Sequence, residues 1–327
     1  MTRLAEGPLT PAQYRLVLDL IAAARATDGV APLSEHVMLH VRHGATSSSG
    51  ADVSSGAVGF SDAGGREVLA FAEDPATSEE TVAGYAYLDP PDDGAQAGDM
   101  SGELVVHPGR RRQGHGTALV AALAKGASGH GIRIWSHGDL PGAAAFAWAT
   151  GFIRFRELWQ MRRPLGDGAP LPEVALPAGV TLRAFRPGAD DEAWLAVNGK
   201  AFAHHPEQGG WTREDLEFRK TEPWFDPAGF FIAEKDGAIA GFHWTKVHRD
   251  GGSSGAPVGE VYVVGVAPGQ QGSGLGKALT VAGLAYLRDR GLGEVMLYVD
   301  GDNAAAIRLY SKLGFGRWHT DVMYRHA

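Results

Sequence analysis

Apolar positions along this chain switch between two periods, and each switch marks an element. Val258-Gly259-Glu260-Val261-Tyr262-Val263-Val264-Gly265-Val266 is a β-branched and aromatic run suited to a buried strand, and Ala267-Pro268-Gly269 ends it. Glycines follow at 272, 274 and 276, and Ala278, Leu279 and Val281 then open the apolar face of a helix. Upstream, the pattern predicts a strand over Val180 to Phe185 and helices over Asp190 to Phe202 and Arg213 to Lys220. A hairpin, Phe230 to Glu234 with Ile239 to Val247, turns at Lys235-Asp236-Gly237. Downstream come a strand over Glu294 to Asp300, a helix over Ala304 to Leu313, a left-handed end at Gly314 and a last strand through Tyr324. The first half runs the same way behind a longer helix, Pro11 to Arg25.

That likeness is a repeat. Leu104 to Leu119 copies the strand, glycine turn and helix start, with Arg111, Gly114 and Gly116 on Gln271, Gly274 and Gly276, an offset of 160 residues. Ala149-Thr150-Gly151-Phe152 matches Lys312-Leu313-Gly314-Phe315 at an offset of 163. Both motifs recur in one order at a nearly constant period, which predicts two tandem domains. The Pro/Gly-dense stretch from Pro164 to Gly179 forbids a helix or a central strand and reads as an exposed linker between domains 1–163 and 180–327. Gly44 to Gly50 and Asp250 to Gly255 read as flexible loops.

Composition narrows the classes. With 327 residues, 44% of them hydrophobic and 21% charged, the chain has enough for two cores of ordinary globular character. A formal net charge of −8 argues against a nucleic-acid partner, and Arg110-Arg111-Arg112 is then part of a phosphate loop, not a nucleic-acid patch. The chain has no long apolar run and no hydrophobic core after Met1, which predicts a cytoplasmic protein without a membrane partner. It has no cysteine, so disulfides, thiolate metal sites and a cysteine nucleophile are excluded. His36, His40 and His43 fall at helical spacing and His204-His205 form a pair, but no His-Glu-x-x-His or carboxylate triad accompanies them, and no metal is expected.

The glycine turn carries the chemistry. Closely spaced glycines let main-chain N–H groups approach an anion, and the first turn of the following helix adds unpaired donors and positive dipole character, so the stretch is suited to a pyrophosphate. A Walker loop would need Gly at 271 and Ser or Thr at 278, where the chain has Gln271 and Ala278. The dinucleotide fingerprint wants G-x-G-x-x-G, and Gly272, Gly274 and Gly276 give G-x-G-x-G. Gln271, Gly274 and Gly276 do meet Gln/Arg-x-x-Gly-x-Gly directly after a strand. Here the sequence resembles the GCN5-related N-acetyltransferases (GNAT), whose acetyl-CoA pyrophosphate sits in this loop. The resemblance implies an α/β (α+β) fold: two tandem GNAT domains, each with a mixed, mostly antiparallel sheet flanked by helices.

Acetyl transfer to an amine requires a base for the amine, stabilisation of the thioester oxygen and an acid for the departing thiolate. Glu260, at the start of the central strand, is the candidate base, and a surface carboxylate at a strand end is the competing reading. Val264 and Val266 would offer main-chain N–H groups to the acetyl and pantetheine parts. Tyr310 lies in an Asn-x-x-Ala-x-x-x-Tyr-x-x-x-Gly-Phe run from Asn303 to Phe315 that is typical of these acetyltransferases. The resemblance makes it the general acid, against a packed tyrosine with a satisfied hydroxyl. Asn303 reads equally as a cofactor contact or a helix N-cap. The repeat offsets put Met100 in the place of Glu260 and Ala147 in that of Tyr310. The first copy is therefore expected to bind acetyl-CoA or support the fold, and the second to catalyse.

Local wording narrows the resemblance. Ala201 to Thr212, Gly241 to Lys246 and Glu260 to Val266 resemble blocks of the mycothiol synthase family, tandem acetyltransferases with a degenerate first copy. This implies acetylation of the cysteinyl amine of a thiol pseudodisaccharide, cysteinyl-glucosaminyl-inositol, with acetyl-CoA as co-substrate. It carries substrate contact to Glu35, Glu207, Lys246 and Glu260, a solvated helix face being the other reading of Glu35. It carries acetyl-CoA contact to Val264, Gly265, Val266, Gln271, Gly272, Ser273, Gly274, Leu275, Gly276, Lys277, Tyr298, Asn303 and Arg308. A second acetyl-CoA would meet Leu104, Val105, Val106, Arg112, Gln113, Gly114, His115, Gly116 and Thr117. An acetyltransferase for an aminoglycoside or a protein N-terminus and a non-catalytic acyl-CoA sensor stand as alternatives. A tandem chain can supply the surface that single-copy relatives gain by dimerising, so a monomer is expected.

Overall fold

Two matched glycine turns set the plan of the molecule. Each follows a strand and a 3-10 turn, and each ends in a left-handed glycine that caps a helix, Gly114 at φ 88° and Gly274 at φ 86°. The computed structural model describes residues 2–46, 65–73, 80–90, 98–166, 168–203, 208–249, 251 and 255–326. In chain order the elements are β1 (Arg3–Glu6), α1 (Pro11–Asp28), α2 (Glu35–Thr46), β2 (Arg66–Glu73), β3 (Glu80–Leu88) and β4 (Met100–Val106). Next come α3 (His115–Gly126), β5 (Ile132–Ser136), α4 (Pro141–Ala149), β6 (Phe152–Pro164), β7 (Val180–Ala184), α5 (Asp191–Ala201) and α6 (Arg213–Thr221). The chain closes with β8 (Phe230–Lys235), β9 (Ala238–His248), β10 (Val258–Val266), α7 (Leu275–Asp289), β11 (Glu294–Asp300), α8 (Ala304–Lys312) and β12 (Gly316–His326).

The chain forms two compact units, Met1–Leu158 with His319–Ala327, and Trp159–Trp318. In the first the strands run β1-β2-β3-β4-β5-β12, with β4 and β5 parallel and β5 antiparallel to β12. Alternation along β2 sends Val68 and Ala70 into a core with Leu119 and Leu123 of α3, and Leu69 and Phe71 into one with Val17 and Leu20 of α1. The second unit runs β6-β11-β10-β9-β8-β7, with β10 and β11 parallel and β7 to β10 successively antiparallel. Trp194 and Leu216 of α5 and α6 cover one face over Phe230, Phe242 and Trp244. Leu284 and Leu287 of α7 cover the other over Val261 and Val295. In each unit the strands are mixed, mostly antiparallel and flanked by helices, the α/β fold that the sequence predicts.

The division differs from domains 1–163 and 180–327. The described residues between Pro164 and Val180 form no helix or strand, as their Pro/Gly content requires, but they are not an exposed linker throughout. Leu165 is fully buried among Met161, Leu284 and Leu313, and its N–H donates to the Gly293 carbonyl at 2.9 Å. At the other end Val322 and Tyr324 of β12 pack in the first unit and pair with Ser136 and Ile134 of β5. Composition finds where regular structure stops, whereas the partner of a strand is set by the sheet edge it meets. Gly44 to Thr46, read as loop, is the last turn of α2, and 47–50 lie outside the described residues, as do 250 and 252–254.

Candidate active site

One irregularity organises the second unit. β9 and β10 pair without interruption from Val258 to Val261 and again from Val263, and Tyr262 is the extra residue of a β-bulge. The bulge turns both Tyr262 and Val263 toward α5 and α6, where they pack beside Trp244. Upstream, Glu260 stands opposite Lys246 and so shares its face of the sheet. On the other side the parallel pairing of β10 with β11 ends at Val261 and Leu297, although both strands continue. Ala267 N–H donates to Ala240 of β9, so by strand alternation the N–H groups of Val264 and Val266 point to the unpaired edge. Gly265 lies between them against Phe242, close enough that a Cβ would meet that ring at 2.5 Å.

Three charged groups meet at this opening. Glu260 is 6% exposed, and its Oε2 shares a 2.6 Å hydrogen bond with Nε2 of His248, a diagonal neighbour across the ladder. Lys246 is buried, with Nζ 4.4 Å from the Trp224 ring and 5.0 Å from that of Tyr262. Arg219 lies 3.8 Å over Trp211 and donates to the Tyr262 hydroxyl at 3.0 Å. Burial opposes charge on Glu260, but the hydrogen bond and charge of His248 and the charge of Lys246 outweigh it and hold the carboxyl below its usual range. Glu260 is therefore an ionised acceptor, not a surface carboxylate. Tyr310, on α8, is half-buried against the core of Val299 and Leu313, and burial pushes its hydroxyl up to about 12. Among the described residues that hydroxyl has no side-chain or backbone partner.

The glycine turn supplies the donors. Gly272 and Gly274 adopt φ 78° and 86°, and Ala278 N–H returns to Gly274. Among the described residues the N–H groups of Gly272, Ser273, Gly274, Gly276 and Lys277 meet no protein acceptor. Ser273 Oγ donates to Gln270 O at 2.6 Å and accepts from Leu275 N–H, which fixes the turn. Gln271 and Lys277 are exposed, while the Leu275 side chain is core. The Tyr298 ring is 42% exposed, with its hydroxyl accepting from Gln160 at 2.7 Å. Asn303 is the N-cap, its Oδ1 accepting from Ala306 N–H at 3.0 Å, and Arg308 is exposed on the same helix.

The first unit keeps the turn and changes the rest. The N–H groups of Arg112, Gln113, Gly114, His115, Gly116 and Thr117 likewise meet no acceptor among the described residues, and β4 leaves β5 after Glu103, before Leu104, Val105 and Val106. Arg111 is held by Asp28 through bonds of 2.8 and 2.6 Å, and Arg112 takes φ 63° where the second unit has Gly272. Its β3–β4 ladder has no bulge. The extra residue at 262 shifts the alignment by one: Met100 pairs with Ile132 as Gly259 pairs with Val295, so the counterpart of Glu260 is Ser101, not Met100. Ala147, at the place of Tyr310, is buried. Glu103, at the place of Val263, is buried and accepts from Ser34 N–H at 2.7 Å. It also meets His137 at 3.3 Å, and His137 meets Asp321 at 3.4 Å on its other side.

The structure thus brings Glu260, Lys246 and the turn into one unit, while Glu35 opens α2 in the other. Glu207, His204 and His205 lie outside the described residues. His36 and His40 contact Asp89 and Glu67, each at 3.2 Å. Sequence reasoning missed His248 and the bulge. The alternation Lys246-x-His248 opposite Glu260 was the available signal for the first, and it is readable only once the register is known.

The sequence model of the acetyltransferase (GNAT) family matches residues 57–152 and 200–315, both glycine turns included. The chain belongs to the GNAT family. It is 56% identical over 317 residues to the mycothiol acetyltransferase of Thermomonospora curvata, covering 97% of this chain and 95% of the relative. With the mycothiol acetyltransferase of Thermobispora bispora it shares 52% identity over 99% of this chain and 100% of that one. A tandem GNAT protein from the clavulanic acid biosynthesis pathway has a similar structure, with TM-score 0.70 and 23% identity over 99% and 98% of the two chains. A GCN5-related N-acetyltransferase from Sphaerobacter thermophilus gives 0.68 and 24% over 98% and 95%. At those identities the likeness is one of fold. Like the rest of its family, this GNAT chain is an acetyl-CoA-dependent acetyltransferase.

Proposed function

We propose that the second unit transfers the acetyl group of acetyl-CoA to the cysteinyl amine of cysteinyl-glucosaminyl-inositol, giving mycothiol and CoA. The observation that carries this is the joining, in that unit, of an ionised buried carboxylate opposite Lys246 and an unpaired phosphate-sized turn, within a chain 56% identical to a mycothiol acetyltransferase. The pyrophosphate of acetyl-CoA rests on the N–H groups from Gly272 to Lys277, with Gln271 beside it, and the pantetheine lies along Val264, Gly265 and Val266. Tyr298, Asn303 and Arg308 border the same cofactor.

Glu260 takes a proton from the substrate ammonium, and the free amine attacks the thioester carbon. Charge on the thioester oxygen is met by the unpaired main-chain N–H groups of β10. Collapse expels the thiolate, which takes the Tyr310 proton, and the proton that the attacking nitrogen sheds on becoming an amide restores the Tyr310 hydroxyl. Lys246 and Glu260 contact the hydroxyl- and ammonium-bearing acceptor. The first unit holds a second acetyl-CoA on Leu104 to Val106 and Arg112 to Thr117 without turning it over, since Ser101 and Ala147 replace the proton-transfer groups.

No helix among the described residues is long and apolar enough to cross a membrane. We read the enzyme as a cytoplasmic monomer with a small-molecule acceptor and neither nucleic-acid nor metal partner. The test is acetyl transfer to cysteinyl-glucosaminyl-inositol, an aminoglycoside and a peptide N-terminus, with products read by mass spectrometry. The expected result is a kcat/KM for the first that exceeds the others by about a hundredfold or more. Preference for another amine, or acetyl-CoA binding with no transfer to any, would overturn the assignment.

A further inference from the structure

Glu260 cannot act as a base repeatedly unless the proton it takes leaves a site in which it is 6% exposed. Among the described residues one neighbour on its face both touches it and reaches solvent. Lys246, directly opposite, is buried over two aromatic rings and carries a positive charge that opposes a second proton. His248 bonds Glu260 at 2.6 Å through Nε2, and its side chain is 28% exposed. Among the described residues no group pairs with its Nδ1. The chain also closes tightly over this histidine: a Cβ on Gly251 would lie 2.6 Å from the His248 Cβ and 3.0 Å from Val258 Cγ1. A side chain at 251 would therefore meet both the His248 stem and Val258 of β10.

From this geometry we propose that His248 is a positioning residue that also carries the proton from Glu260 to water. The proposal rests on the reading of Glu260 as the base. The substrate ammonium gives H⁺ to the Glu260 carboxylate, forming a free amine and a carboxylic acid. His248, having given a proton to water and taken the Nδ1–H tautomer, accepts H⁺ from the acid along the Oε2···Nε2 bond, which restores both the carboxylate and the imidazolium that pairs with it. Over the sequence the amine loses one proton, water gains one, and both residues return to their starting forms.

The test compares His248→Gln and His248→Ala with the wild type in steady-state acetyl transfer, with and without added imidazole. Glutamine can still donate a hydrogen bond to Glu260 but cannot carry a proton. We expect both variants to lose about 10- to 100-fold in kcat, with KM for acetyl-CoA changed by less than about twofold. Imidazole should restore much of the loss in His248→Ala. Full activity in His248→Gln, or no response of His248→Ala to imidazole, would overturn the relay while leaving Glu260 as base. Circular dichroism and acetyl-CoA affinity identify a variant that fails to fold; His248→Asn, which keeps a donor on a shorter side chain, then takes its place under the same criteria. If wild-type protein acetylates none of the amines, the reading of Glu260 fails and the relay fails with it.

Discussion

Glu260 and Tyr310 are displaced in opposite senses, the carboxyl held low by His248 and Lys246 against its burial and the phenol pushed up to about 12 by burial. An acceptor that stays ionised and a donor that stays protonated are the pair that acetyl transfer needs near neutrality. Glu260→Gln should lower kcat by roughly 10²- to 10⁴-fold, and Tyr310→Phe should lower kcat with KM for acetyl-CoA unchanged, both read from steady-state kinetics. The sign for stability follows from the depressed carboxyl. Its contribution is complete above the ordinary Glu range and is lost as pH falls through the lower folded value. Glu260 was legible as a carboxylate opening a buried strand, and Tyr310 through its Asn-to-Phe run. His248 was not, because its contact crosses a ladder whose register the sequence leaves open.

Between elements, the glycine turn and the bulge do different work. The turn presents N–H groups, and Gly274 must stay left-handed to do so, a conformation that costs another residue about 1–2 kcal/mol. Gly274→Ala should raise the acetyl-CoA dissociation constant about tenfold, measured by titration calorimetry, with a smaller effect on kcat. The bulge was hidden in the sequence because an apolar run from Val261 to Val264 has no visible phase. It explains why Met100 was aligned where Ser101 stands. In the first unit, burial would lower His137, but hydrogen bonds and charge from Asp321 and Glu103 outweigh it and raise it to about 10. A raised histidine stabilises fully below its unfolded value and loses that contribution as pH rises through the folded one. Unfolding of the first unit should therefore shift to lower temperature between about pH 6.5 and 10. The shift should be smaller in His137→Phe, by scanning calorimetry.

Over the whole molecule, the glycine turn is present twice and the proposed proton-transfer groups, Glu260 and Tyr310, once. Titration of acetyl-CoA should show two sites per chain, and Gly114→Ala should weaken one of them while leaving turnover within about twofold. The tandem order was legible because strand and helix periods and two glycine motifs repeat in step. The exchange of partners at the ends was not: Leu165 and Val322 are apolar residues near turns, and nothing local records which core receives them.

The most direct test of the account is a single-turnover measurement of acetyl transfer to cysteinyl-glucosaminyl-inositol by wild type, Glu260→Gln and Gly114→Ala, with acetyl-CoA saturating. The account predicts a chemical step that nearly disappears in Glu260→Gln and persists in Gly114→Ala. A step that survives in Glu260→Gln and is lost in Gly114→Ala would place the chemistry in the first unit and contradict it.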